Sequence, residues 1–174
     1  MEQAKYDVFI SYSRKDSTIV EQICSLFKQN DISYWIDKQD IYAGGEFLSD
    51  IVQAIRECKI TLFISSSHSN NSIYTAKEVA MAFNEGKYII PYKIDTSTFN
   101  KNLELVLCDL NWVEAFPFDE TKALELVANI KSLLTGEQKQ EINIAPVREH
   151  INIEDWDEPG NRILKYIKKL FKDK

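Results

Sequence analysis

Tyr74 and Glu78 are the pair in this chain whose types and spacing point most directly to chemistry. Four residues apart on a helix, they are neighbours one turn apart. An aromatic ring beside a carboxylate is a sugar-binding pairing: the ring covers an apolar face and the carboxylate accepts from hydroxyls. The spacing alone also fits a solvated glutamate beside a partly packed tyrosine. Other candidates exclude themselves. Gly44-Gly45 belongs to neither G-x-x-x-x-G-K nor G-x-G-x-x-G and reads as a flexible turn. Ser66 and His68 lie two apart in one loop, which is no triad geometry and no nucleophile elbow; they read as a solvated serine-rich loop. Cys24, Cys58 and Cys108 lie far apart with no C-x-x-C, and with only His68 and His150 beside them no metal site is expected.

The elements that position this pair follow from hydrophobic periodicity. Residues 6–12 are rich in β-branched and aromatic side chains and read as a strand. Ser17 reads as an N-cap before the helical stripe Ile19, Val20, Ile23, Leu26 and Phe27. Residues 32–36 read as a second strand, 37–46 as a loop, and Phe47, Ile51, Ala54 and Ile55 as a helix. Residues 60–64 are an apolar strand stopped by the serine-rich run 65–71. A helix over 72–84 follows, with Gly86 as its C-terminal stop. Its residues Ile73, Ala76, Val79, Ala80 and Phe83 are expected to face the sheet, leaving Tyr74 and Glu78 opposite. Residues 88–94 are a fourth strand, with Pro91 hinting at an edge or bulge. Residues 109–113 are a candidate fifth, and 120–134 a last helix with Leu124, Val127, Ile130, Leu133 and Leu134 on one stripe.

Strands alternating with helices predict an α/β fold: a flavodoxin-like, mainly parallel five-stranded sheet of order 2-1-3-4-5, with helices on both faces. Ligands then bind beyond the carboxyl ends of the strands, where the loops 12–16, 37–46 and 65–71 are expected to meet. Response regulators share this sheet order, but their phosphoacceptor needs an Asp ending the third strand; here it ends Ile64-Ser65-Ser66.

Composition bounds the rest. The chain has 174 residues and a formal net charge of -6. Residues 160–174 carry six basic side chains against Asp173, and the remainder carries 15 basic against 26 acidic residues. An acidic body is a poor binder of phosphate backbones, so no nucleic-acid partner is expected. No apolar run approaches the roughly 20 residues of a membrane span, and sparse cysteines suit a reducing cytoplasm. The division expected is a domain over 1–134 and an extension over 135–174. The extension holds a possible short strand pair (Glu141 to Ile144 echoed by His150 to Ile153) and a basic amphipathic helix with Ile163, Ile167, Leu170 and Phe171 on its apolar stripe. That helix is expected to dock on the domain or on a copy of itself.

Three segments carry a resemblance. Tyr6-Asp7-Val8-Phe9-Ile10-Ser11-Tyr12-Ser13 resembles the opening signature of Toll/interleukin-1 receptor (TIR) domains. Trp35-Ile36-Asp37, with the loop to Gly44 and Phe47, resembles their second signature and BB loop. Tyr74-Thr75-Ala76-Lys77-Glu78 resembles the W-x-x-x-E segment of NAD-cleaving members, with Tyr for Trp. The similarity spans about residues 5–134. The proline of receptor-type BB loops and the Phe-Trp third signature are absent, which favours the bacterial NAD-cleaving defence type over an animal receptor adaptor.

The resemblance implies an NAD+ nucleosidase, or an ADP-ribosyl cyclase, in bacterial antiphage immunity. Glu78 would be the catalytic carboxylate, ionised at neutral pH because an ordinary glutamate pKa is about 4.3. Tyr74 and Phe47 would pack on the substrate's rings. Tyr12, Ser13 and Arg14 would contact the dinucleotide, with the Arg14 fork on pyrophosphate. Asp37 and Tyr42 would shape the BB-loop side. NAD+ would be substrate, with no cofactor. TIR–TIR self-association is expected, with a sensor or downstream effector as a further partner. The alternative is a non-enzymatic TIR scaffold that signals by assembly alone.

Overall fold

The computed structural model describes residues 4–37 and 45–136. The first strand, β1 (Tyr6–Ser11), is followed by a 3-10 turn (Arg14–Asp16), α1 (Ser17–Gln29) and β2 (Tyr34–Ile36). Next come α2 (Gly45–Glu57), β3 (Cys58–Ser65), a second 3-10 turn (Ser69–Asn71) and α3 (Ile73–Asn84). The chain continues through β4 (Tyr88–Lys93), α4 (Lys101–Leu107), β5 (Val113–Glu114) and α5 (Glu120–Thr135). The five strands form one sheet in the order β2-β1-β3-β4-β5, and all four pairings are parallel. This is the flavodoxin-like topology expected from the alternation of periods.

Strand alternation splits the core in two. Val8 and Ile10 of β1, with Ile60, Leu62 and Ile64 of β3, meet Val20, Ile23 and Phe27 of α1 and Leu126, Val127 and Ile130 of α5. Phe9 and Phe63 point the other way, onto Ile51 and Ile55 of α2, Val79 and Ala82 of α3, and Leu103 and Leu107 of α4. Ser11 follows Phe9 by two residues and so lies on the α3 side. Burying a Leu, Ile or Phe side chain is worth roughly 1.5–3 kcal/mol, so these two layers dominate the fold's stability.

Several local expectations change. Asp16, not Ser17, occupies the cap position of α1, and its carboxylate accepts from Ser66 Oγ at 2.6 Å instead of capping the helix. The helix α4 was not foreseen; it is seven residues long, capped by Asn100, and buries only Leu103 and Leu107. The fifth strand is Val113–Glu114 alone, not 109–113. Leu124 is exposed, and Ala123 and Leu126 take the buried positions of α5 instead. Pro91 lies inside the sheet. Ile94 donates to Ser65 O and Ala115 donates to Lys93 O, so odd-numbered β4 residues address β5. Pairing with β5 begins only at Tyr92, so the missing N–H of Pro91 leaves no ladder bond unmade.

The helix α3 stops where Gly86 takes a φ of +63°, a region costly for other residues. Of the loop expected over 37–46, residues 45 and 46 begin α2 and 38–44 lie outside the described residues, as do the strand pair and basic helix expected beyond residue 136. No helix among the described residues is long and apolar enough to cross a membrane.

Candidate active site

Parallel strands bring their carboxyl ends to one edge, and register places Ile10 beside Ile36. The segment leaving β1 therefore runs beside the residue leaving β2. Tyr12 donates its hydroxyl to the Asp37 carbonyl at 3.3 Å, and Arg14 Nη2 meets Asp37 Oδ2 at 2.7 Å. The first turns of α3 close the other side. Between them lies a cavity of about 250 Å³ lined by Tyr12, Ser13, Arg14, Asp37, Tyr74 and Glu78, with Lys15, Trp35, Ser72 and Thr75. Its volume lies just below the roughly 300 Å³ at which small-molecule sites usually begin.

Six of the eight residues expected at the site thus meet around one cavity. Tyr42 lies outside the described residues, and Phe47 is placed only as backbone within α2. Arg14 and Asp37 form an ion pair, partly exposed on the Arg14 side. Such a pair adds little stability at a solvated edge. Here it fixes a guanidinium at the cavity wall beside Lys15.

The orientation of Glu78 differs from expectation. The buried stripe of α3 is Thr75, Val79 and Ala82, while Ile73 is 71% exposed. Glu78 stands roughly 60° from the centre of that stripe, on the sheet side and not opposite it. The reason is chemical. Thr75 is buried because its hydroxyl donates to the Ser69 carbonyl at 2.6 Å, so the sheet-facing side of α3 begins with a polar residue that an apolar pattern does not register. Tyr74, 46% exposed, forms the outer rim.

Burial pushes the Glu78 carboxyl up to about 7, with the Asp37 charge adding to the rise and a hydrogen bond from Ser11 opposing it. Glu78 is therefore not the ordinary ionised carboxylate the sequence suggested; near neutrality it holds and releases a proton readily. Burial, with the Asp37 charge, also raises the Tyr12 phenol. The cavity floor is aromatic: Trp35 stacks on Phe9 with centroids 5.2 Å apart and planes 10° from parallel.

The serine-rich loop gives the opposite correction. It was expected solvated and lining the site, yet Ser65, Ser66, Ser69 and Asn70 are buried and none of them lines the cavity. Ser66 Oγ accepts the N–H groups of His68 and Ser69, each at 3.1 Å, while donating to Asp16. Asn70 accepts from Ser65 Oγ and donates to Ser97 Oγ and the Thr98 carbonyl. Its hydrogen-bonding capacity is spent within the fold.

Ser11, Lys15, Trp35 and Thr75 went unassigned from sequence. The signal for Ser11 was present: a hydroxyl ends a strand whose preceding residues are apolar, at the edge where ligands bind.

A TIR domain model matches residues 8–128. The chain belongs to the TIR domain family. A Brachypodium distachyon protein described as a probable 2′ cyclic ADP-D-ribose synthase, BdTIR, is 24% identical to this TIR domain protein over 162 residues; the match covers 89% of this chain and 72% of that protein. The TIR domain of the Toll-related receptor TRR-2 from Hydra magnipapillata superposes with a TM-score of 0.57 at 16% identity, over 76% of this chain and 98% of that one. A metazoan TIR-STING receptor from C. gigas, solved with 2′,3′-cGAMP, gives a TM-score of 0.59 at 20% identity, over 75% of this chain and 40% of the receptor. These two structural likenesses establish the fold.

Proposed function

We propose that this TIR domain cleaves the nicotinamide–ribose bond of NAD+. The observation that carries the reading is Glu78, a half-buried carboxylate with a raised pKa at the wall of a cavity that has an aromatic rim and a cationic flank. The relative named a probable 2′ cyclic ADP-D-ribose synthase supports it.

In the reaction, the C–N bond electrons leave with nicotinamide and neutralise its ring. The anomeric carbon becomes oxocarbenium-like, and ionised Glu78 stabilises that charge, as carboxylates do in glycoside hydrolysis. Water, a hydroxyl or adenine nitrogen of the same substrate, or a nucleophile on another molecule then bonds to the anomeric carbon. A proton released by a hydroxyl nucleophile can pass to Glu78, whose pKa near 7 suits a base. Arg14 and Lys15 suit the pyrophosphate, and Tyr74 the exposed ring face. The product is ADP-ribose, a cyclic isomer or a conjugate, according to the nucleophile.

We place the activity in a cytoplasmic bacterial antiphage response working through TIR–TIR assembly. That setting rests on the resemblance of the glutamate segment, and phage plating with wild type against Glu78→Gln tests it. Turnover per molecule should rise with protein concentration; constant specific activity in a chain that stays monomeric by light scattering would remove assembly from the reading. The activity itself is tested by incubating concentrated protein with NAD+ and resolving products by mass spectrometry. Nicotinamide with an equimolar ADP-ribosyl product is expected. Intact NAD+ at every protein concentration would leave the non-enzymatic scaffold as the reading.

A further inference from the structure

We propose that Ser11 is a positioning residue for Glu78, holding one carboxylate oxygen so that the other is presented to the substrate. The inference rests on the reading of Glu78 given above and extends it to a residue that does not touch the cavity. Ser11 Oγ donates to Glu78 Oε2 at 2.6 Å. Ser11 is wholly buried, is the last residue of β1, and sits in register with Phe63 of β3. It is absent from the cavity wall, whereas Glu78 is part of it. Among the described residues Ser11 is the one side chain that hydrogen-bonds the Glu78 carboxyl. The anchoring atom thus belongs to the buried sheet, and the anchored group to the cavity wall.

The geometry has two consequences. A carboxylate on a two-carbon stem loses rotational freedom when one oxygen is pinned, which favours a single approach to the anomeric carbon. A hydroxyl donor also favours the ionised form, which is the form that stabilises positive charge. The remaining charged and titratable groups around the cavity do not replace it. Tyr12 follows β1, and its hydroxyl is engaged by the Asp37 carbonyl. Arg14 of the first 3-10 turn pairs with Asp37 beyond β2, while Lys15 lines the wall beside it. Asp37 opposes ionisation by its own negative charge. On α3 itself, Tyr74 is at the rim and Thr75 is committed to the Ser69 carbonyl.

The test is Ser11→Ala, with Ser11→Thr as the hydroxyl-keeping control. Two readouts are taken across pH 5–9: NAD+ cleavage, and carbon-13 NMR titration of the Glu78 carboxyl, assigned with Glu78→Gln. In Ser11→Ala the titration midpoint is expected to move up by about one pH unit, with the acidic limb of kcat moving in step and kcat near pH 7 falling about fivefold or more. KM for NAD+ should stay put, because Ser11 does not line the cavity. Ser11→Thr should restore both midpoint and limb. Should Ser11→Ala not fold, Ser11→Cys exchanges a strong donor for a weak one at similar volume and carries the same expectation. An unmoved midpoint, or a folded Ser11→Ala whose kcat is unchanged at every pH, would overturn the positioning role. If wild type releases no nicotinamide, the activity reading falls alone, and the carbon titration still decides whether Ser11 holds Glu78.

Discussion

Two polar clusters sit at the same edge of this sheet, and they solve opposite problems. The loop after β3 packs Ser65, Ser66, Ser69 and Asn70 out of water, and each side chain has partners within the fold. The cluster beyond β1 half-buries Glu78 against one donor, with a second carboxylate nearby to oppose its charge. The first cluster satisfies every group it buries, and so it holds the sheet edge in place. The second leaves a carboxyl poised near neutrality, at the wall of a cavity. Polar density is therefore not the mark of chemistry here. The mark is a half-buried ionisable group whose surroundings are incompletely matched to its charged form.

The sharpest way to break this contrast is at Glu78. Glu78→Gln keeps size and hydrogen bonding but removes the charge; nicotinamide release is expected to fall by about 10²–10³ or more. A folded Gln variant with near wild-type release would end the charge-stabilisation account.

The same substitution should move stability in the reverse sense. A carboxyl held near 7 in the fold, against an ordinary 4.5, favours folding fully below pH 4.5, and that contribution is lost as pH rises through about 7. Above pH 8, Glu78→Gln should then be more stable than wild type by up to about 3 kcal/mol, with the gap closing below pH 4.5. Urea melts at the two pH values check this, and equal gaps would place the Glu78 pKa near its ordinary value.

The structural cluster should respond the other way. Asn70→Ala strips partners from Ser65, Ser97 and Thr98; of these Ser65 is buried, and leaving its hydroxyl without Asn70 should cost about 1–3 kcal/mol. Thermal melting should show that loss, while kcat per folded molecule stays at the wild-type value. A kcat loss without a stability loss would merge the two clusters into one.

The smallest expected effect belongs to Tyr74. Truncation to Ala should lower activity about tenfold and Tyr74→Phe should keep it, since ring packing is worth roughly 0.5–1.5 kcal/mol beyond burial. Equal rates for Ala and wild type would return the ring to an ordinary surface role.

The fold was legible because both of its signals are dense: period-two apolar strands and long period-3.6 helices alternate in order. The two elements misread are the shortest α-helix and the shortest strand. A seven-residue helix with two buried leucines and a two-residue strand offer almost no period to read. The site's members were legible as types at one sheet edge, but their environments were not. Glu78 was placed on the wrong side of α3 because the buried face there starts with Thr75, whose burial depends on a carbonyl supplied by Ser69. The raised pKa of Glu78 and the pairing of Ser66 with Asp16 likewise arise from residues far apart in sequence. Only the folded chain brings those groups together.

The shortness of β5 has a consequence for how copies of this chain can meet. An exposed sheet margin is a template: its free N–H and C=O groups invite a neighbour's backbone to zip on, and growth of that kind ends in irreversible fibres. Here the margins are two residues of β5, carrying the exposed Glu114, and three residues of β2. Neither is long enough to align a visiting strand in a fixed register. Among the described residues, side chains and loops therefore offer a larger surface for a contact between copies than either strand margin does.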